Sequence, residues 1–192
     1  MRVVVLCLCV FLCEVSGCFA ISIPFEFSTT SSTNQYLDSM FISKLGVELN
    51  IFSEIPNAQI TQKVGGLGVS FTGDNSTTLD GSVGFDSLTF KFSQVVTLLG
   101  VRFSYFEVGD EFALSTANGN LAMDIPADIG AVDLSLVDDR FVFSVTDAND
   151  DYRIESITIA VDSPVPAPEP STWVLLAGGL AGMLFWHRRQ TG

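Results

Sequence analysis

The chain has 192 residues, a formal net charge of −13 and a sequence pI of about 4.1. An acidic surface repels phosphates, so we expect no nucleic-acid partner. All four cysteines (Cys7, Cys9, Cys13 and Cys18) lie near the amino end, and the single histidine is His187. The segment between them therefore lacks the residues for a disulfide framework, a thiolate zinc site or a histidine-based catalytic triad.

The amino end has the pattern of a signal peptide. Arg2 supplies a positive n-region, Val3–Cys13 forms an apolar core, and small residues precede a predicted cleavage after Ala20. Two other interpretations stay open. Val15–Cys18 resembles a bacterial lipoprotein box, in which Cys18 would be lipidated, and the segment could also form a buried first helix. We predict a signal peptide over residues 1–20.

Residues 21–162 have the pattern of β-strands. Apolar and polar residues alternate in Leu88–Ser93, Val101–Tyr105 and Arg140–Val145, which is the period of a half-buried strand. Other predicted strand segments are Ile23–Phe27, Val47–Phe52, Leu67–Phe71, Leu121–Ile125, Val132–Leu136 and Ile157–Val161. We predict an all-β domain, a β-sandwich of jelly-roll type, in which the phenylalanines fill the layer between the sheets.

Turn signals separate these strands. The predicted turns are Gly65-Gly66, Gly73-Asp74-Asn75, Asp80-Gly81, Asn118-Gly119 and Asp138-Asp139. Asn118-Gly119 is the best hairpin candidate. Val101, Phe103 and Tyr105 are expected to share one buried face. A change of parity between Ile154 and Ile157 predicts a bulge near Glu155-Ser156.

One acidic loop is a candidate calcium site. Asp147, Asn149 and Asp151 place oxygen ligands at alternate positions, and calcium prefers oxygen ligands. The loop lacks the glycine and the distal glutamate of an EF-hand, and a solvated turn explains the same residues, because Asp and Asn hydrogen-bond their own backbone. We predict no catalytic residue. The alternative is a carbohydrate-active enzyme that uses a pair of carboxylates.

The carboxyl end has the pattern of a membrane-stop segment. Residues 163–172 form a proline-rich linker, which stays extended. An uncharged run follows, and we predict a transmembrane helix over residues 173–187 and a basic tail over residues 188–192. Arg188 and Arg189 act as the membrane stop. The positive-inside rule places these arginines in the cytoplasm and the β-domain on the far side.

Together these terminal features resemble the PEP-CTERM sorting signal of Gram-negative bacteria. The resemblance rests on Val165–Trp173 with its Pro168-Glu169-Pro170, on the glycine-bearing apolar run, and on the terminal arginines. It implies that exosortase recognises Pro168, Glu169 and Pro170 and cuts near them. The released domain would reach the cell surface or an exopolysaccharide matrix. The resemblance thus implies an exported, non-enzymatic surface or matrix protein; a permanently membrane-anchored binding protein is the alternative.

Overall fold

The computed structural model describes residues 19–74, 76–82 and 84–163. Apart from their boundary residues, the predicted signal peptide, linker and transmembrane helix lie outside this part of the chain. Among the residues it covers, no helix is long and apolar enough to cross a membrane. A compact unit spans Ala20–Asp162.

The described part of the chain forms twelve β-strands, which confirms the all-β class. The strands are β1 (Phe19–Glu26), β2 (Gln35–Leu37), β3 (Met40–Lys44), β4 (Val47–Phe52), β5 (Gln59–Lys63), β6 (Gly66–Ser70), β7 (Leu79–Asp80), β8 (Ser87–Ser104), β9 (Glu111–Thr116), β10 (Gly119–Asp124), β11 (Ala131–Val145) and β12 (Asp151–Ser163).

All of these strands belong to one open sheet, which is organised around β8. The first part of β8 lies between β4 and β11, with Leu49 opposite Phe92. The second part lies between β11 and β12, with Ile157 opposite Val101. Two regions of the sheet therefore share the long strands β8 and β11. The jelly-roll connectivity stays a prediction.

Phenylalanines fill the core between these two regions. β1 pairs with β12. The ring centroid of Phe25 in β1 lies 6.1 Å from that of Phe92, and that of Phe27, just after β1, lies 5.7 Å from that of Phe90. Phe90 in turn meets Phe143 of β11 edge-on at 5.2 Å. Edge-to-face contacts of this kind add to the free energy of burial. The sequence-based assignment of phenylalanines to the core is confirmed for these residues, whereas Phe41 and Phe85 are exposed.

Several local predictions are wrong. The segments Leu88–Ser93 and Val101–Ser104 are strand, as predicted, but they belong to the single strand β8 and not to separate strands. Tyr105 is 53% exposed, because its backbone takes a left-handed φ of 56° just past the end of β8 and leaves the buried face. Asp138-Asp139 is not a turn but lies inside β11, where the register against β8 shifts between Asp138 and Arg140 and the extra residues lie on β8. In the predicted run Leu121–Ile125, only Ile125 is buried, because β10 is an edge strand.

Two other local predictions are confirmed. A hairpin joins β9 to β10, although its turn residues are Ala117 and Asn118, and Gly119 opens β10 with a φ of 139°. The register of β12 against β8 shifts between Ile154 and Ser156, which is the predicted bulge.

Candidate metal centre

Three aspartates meet in the turn-rich segment between β6 and β8. Asp74 follows β6, Asp80 ends the short strand β7, and Asp86 directly precedes β8. One carboxylate oxygen from each residue lies within 4.8 Å of the other two. Asp80 is 6% exposed and Asp86 is 1% exposed, whereas Asp74 is half-buried. We call these three residues the acidic cluster.

Each carboxylate of the acidic cluster uses one oxygen to organise the local backbone. Asp74 Oδ1 accepts the N–H of Ser76 at 2.8 Å, Asp80 Oδ1 accepts the N–H of Ser82 at 2.8 Å, and Asp86 Oδ2 accepts the N–H of Asp80 at 3.2 Å. The second oxygen of each residue is buried and has no hydrogen-bond partner within the described ranges. Burial of an unpartnered polar atom is costly, so three in one place require an explanation.

The electrostatics of the acidic cluster disfavour three negative charges. Burial raises the pKa of Asp86 to about 7, and the charges of Asp80 and Asp74 act in the same direction against the opposing hydrogen bond from the Asp80 backbone. Among the described residues, no salt bridge involves any member of the cluster. When its carboxylates are ionised, the negative charge of the cluster is therefore not balanced by a salt bridge from the described residues.

The turn that carries Asp80 packs tightly against the predicted calcium loop. A Cβ atom on Gly81 would lie 1.9 Å from the backbone oxygen of Asp147, so the close approach requires glycine. The two segments border a cavity of about 170 Å³. Its lining residues are Ser76, Asp80, Ser82, Ala148, Asn149, Asp150 and Asp151.

The structure separates the residues of the predicted calcium loop. Asn149 and Asp151 reach the cavity beside Asp80, but Asp147 is not among its lining residues. Asp147 Oδ1 accepts the N–H of Asn149 at 2.8 Å, which is the hydrogen bond expected of a solvated turn. Burial raises the pKa of Asp151, as do the charges of Asp110, Glu107 and Asp80. Calcium binding by Asp147, Asn149 and Asp151 stays a prediction.

Asp150 is the structural centre of that loop, a role that sequence reasoning missed. Its carboxylate accepts the backbone N–H groups of Glu111, Thr146 and Asp147 at 2.8–2.9 Å, and also the Thr146 hydroxyl. Burial acts to raise the pKa of Asp150, but these hydrogen bonds outweigh it, so the pKa lies below its usual value. Both oxygens of Asp150 are therefore satisfied, in contrast to those of the acidic cluster.

Arg153 is a second buried charge near the acidic cluster. Its side chain is fully buried, and it donates to the backbone oxygen of Gly66 at 3.1 Å, to that of Thr77, and to the Thr77 hydroxyl at 2.7 Å. Burial lowers the pKa of Arg153 to about 10, so the side chain stays charged at neutral pH. Arg153 thus ties β12 to the segment that runs from Asp74 to Asp80.

The predicted sorting and membrane-stop residues lie outside the described residues. Residues 166–189 match the family model of the PEP-CTERM protein-sorting motif, a range that includes Pro168, Glu169, Pro170, Arg188 and Arg189. The match leaves the β-domain unassigned. No curated protein and no solved structure matches the chain. The chain therefore carries a PEP-CTERM sorting motif at its carboxyl end, as its sequence predicts, and this motif supports an exported protein sorted by exosortase.

Proposed function

We propose that this chain is an exported, non-enzymatic surface or extracellular-matrix protein that exosortase processes through its carboxyl tail. The observation that carries the proposal is the sorting-motif match over residues 166–189. In this proposal the signal peptide of residues 1–20 starts export. The apolar run of residues 173–187 holds the chain in the inner membrane until it is cut. Arg188 and Arg189 stop translocation, and exosortase recognises Pro168, Glu169 and Pro170.

The β-domain is the part that reaches the cell surface or the exopolysaccharide matrix. Its sheet has one hydrophobic core that is rich in phenylalanine, which suits a stable structural or carbohydrate-binding module of sandwich type. Asp80 and Asp86, two of the three closely grouped carboxylates, are buried. A glycosidase pair must instead flank a bound sugar, so these buried carboxylates do not suit that role.

The intact mass of the tagged full-length protein tests this proposal in cells with and without exosortase. We expect a shorter form that lacks residues 173–187 only where exosortase is present. Replacement of Pro168, Glu169 and Pro170 by alanine should leave the uncut form in both strains. The matched control is Pro164→Ala, which changes a linker proline just before the motif and should still be processed.

Two outcomes would overturn the sorting proposal. Equal masses in both strains, with the tail retained, would favour a permanently anchored membrane protein. Loss of the tail in both strains would indicate that another protease removes it. Release of sugar products from polysaccharides by the same purified protein would instead support the enzyme alternative.

A further inference from the structure

The acidic cluster has the chemistry of a site for a hard divalent cation. Its ligand atoms are carboxylate oxygens, and all four cysteines and the one histidine of the chain lie in its terminal segments. Calcium and magnesium prefer oxygen ligands, whereas zinc sites in proteins are built mainly from cysteine and histidine. The cluster therefore selects among cations by the type of its donor atoms.

The spacing of the oxygens accommodates calcium. Calcium–oxygen distances are about 2.3–2.6 Å, so one ion can contact oxygens that lie as far apart as about 4.8 Å. One oxygen from each of Asp74, Asp80 and Asp86 satisfies this limit. Magnesium requires shorter distances of about 2.0–2.1 Å and a near-ideal octahedron, and it gives up its bound water reluctantly. Because the three carboxylates come from an irregular, turn-rich segment, an ion that tolerates irregular geometry suits this site better.

The hydrogen bonding supplies an independent observation. Asp80 and Asp86 are more than nine-tenths buried, and an oxygen on each has no hydrogen-bond partner within the part of the chain that the structure describes. The other oxygen of each carboxylate is held by a backbone N–H, which fixes the side chain. A solvated turn explains the held oxygens but not the buried, unpartnered ones. A cation would satisfy them and neutralise their mutual repulsion.

We infer that Asp74, Asp80 and Asp86 bind one calcium ion, which fastens the segment between β6 and β8 to the rest of the domain. Calcium takes six to eight ligands, so backbone carbonyls and water complete the coordination. The cavity that Asp80 shares with Asn149 and Asp151 gives water a place beside the site. Extracellular calcium sites have dissociation constants of about 0.1–1 mM, so the ion would bind after export.

Thermal unfolding of the full chain in mild detergent, stripped of metal with EGTA, tests the inference. Calcium chloride at 5 mM should raise Tm by about 3 °C or more, because a ligand that binds only the folded state stabilises it. Magnesium chloride at the same concentration should raise Tm less. An unchanged Tm with calcium, or an equal rise with both ions, would overturn the inference.

Substitutions locate the effect within the chain. Asp80→Asn should abolish the calcium-dependent rise in Tm, and the matched control Asp147→Asn, in the adjoining exposed loop, should retain it. Asp86→Asn covers the case in which Asp80→Asn does not fold. The asparagine keeps an oxygen for the Asp80 N–H and removes one repulsive charge. In the absence of calcium, its Tm should therefore exceed that of the original chain, and calcium should no longer raise it. A full calcium response in Asp86→Asn would overturn the inference, as would its loss in Asp147→Asn alone.

Discussion

Arg153 and the acidic cluster are both buried charge centres, but both terminal nitrogens of Arg153 have hydrogen-bond partners, and only its Nε lacks one. The guanidinium of Arg153 is bonded to the carbonyl oxygens of Gly66 and Thr77 and to the Thr77 hydroxyl, whereas three carboxylate oxygens of the cluster lack partners among the described residues. The difference reflects the numbers of backbone hydrogen-bond acceptors and donors that a β-domain has free. A carbonyl oxygen has two lone pairs and can accept a second hydrogen bond, whereas each N–H donates once and is mostly used in the strand pairing.

Asp150 shows how a β-domain can satisfy a buried carboxylate. Three backbone N–H groups, those of Glu111, Thr146 and Asp147, converge on it where two strands end. The acidic cluster has one backbone donor for each carboxylate. Asp150 is therefore satisfied within the described part of the chain and Arg153 lacks a partner only at Nε, whereas the acidic cluster needs a proton or a cation from outside.

Removal of Arg153 is the most severe test of this comparison. Arg153→Met should lower the free energy of unfolding by about 3 kcal/mol or more, because it removes the buried donor to the carbonyl oxygens of Gly66 and Thr77 and to the Thr77 hydroxyl. Urea denaturation followed by circular dichroism measures the change. Arg102→Met is the matched control, since Arg102 is an exposed partner of Glu155 at 3.0 Å and should contribute about 1 kcal/mol or less. Equal losses in the two variants would contradict the assigned role of Arg153.

The pH dependence of stability tests the acidic cluster without calcium. The pKa of Asp86 is about 7 in the folded state and near 3.8 when unfolded, and Asp80 and Asp74 are the charges that face it. Between these values the folded state binds the extra proton, so stability falls as pH rises. We expect the calcium-free chain to lose about 2 kcal/mol between pH 5 and pH 8.

Asp86→Asn should remove most of that loss, as measured by urea denaturation at both pH values. A smaller dependence of the free energy of unfolding on pH should remain, because burial also raises the pKa of Asp110 and of Asp151. Saturating calcium should flatten the pH dependence of the unmodified chain, since the ion favours ionised carboxylates. If the stability of Asp86→Asn fell with pH as steeply as that of the unmodified chain, Asp86 would not titrate in this range.

Thr77→Val measures one hydrogen bond of Arg153. Thr77→Val removes the hydroxyl that accepts from Arg153 at 2.7 Å but keeps the branched shape and the backbone oxygen. We expect a loss of about 1 kcal/mol, the typical contribution of one hydrogen bond. The combination with Arg153→Met isolates the interaction: the second substitution should add little once the arginine is gone. Fully additive losses would mean that Thr77 stabilises the domain independently of Arg153.

The sequence predicted the features that depend on local pattern. Alternation located the buried residues of β8 and β11, such as Phe90 and Phe143, because one face of a strand meets the core. The bulge near Glu155 was also visible as a change in parity. The acidic cluster was not predicted, because Asp74 and Asp80 each lie in a good turn signal. Their approach to Asp86 depends on how the segment between β6 and β8 folds back, and no local pattern encodes that contact.

The position of β12 has a mechanical consequence for a chain held by its carboxyl end. β12 is bonded to β8 along one side and also pairs with β1, β6 and β7, and it ends at Ser163, where the proline-rich linker begins. Tension transmitted through the linker would pull β12 lengthwise from between its neighbours. Such a load strains many hydrogen bonds at once, whereas an edge strand would peel away one bond at a time. In a chain anchored by its tail, β12 would therefore resist such a load through the hydrogen bonds to its neighbours.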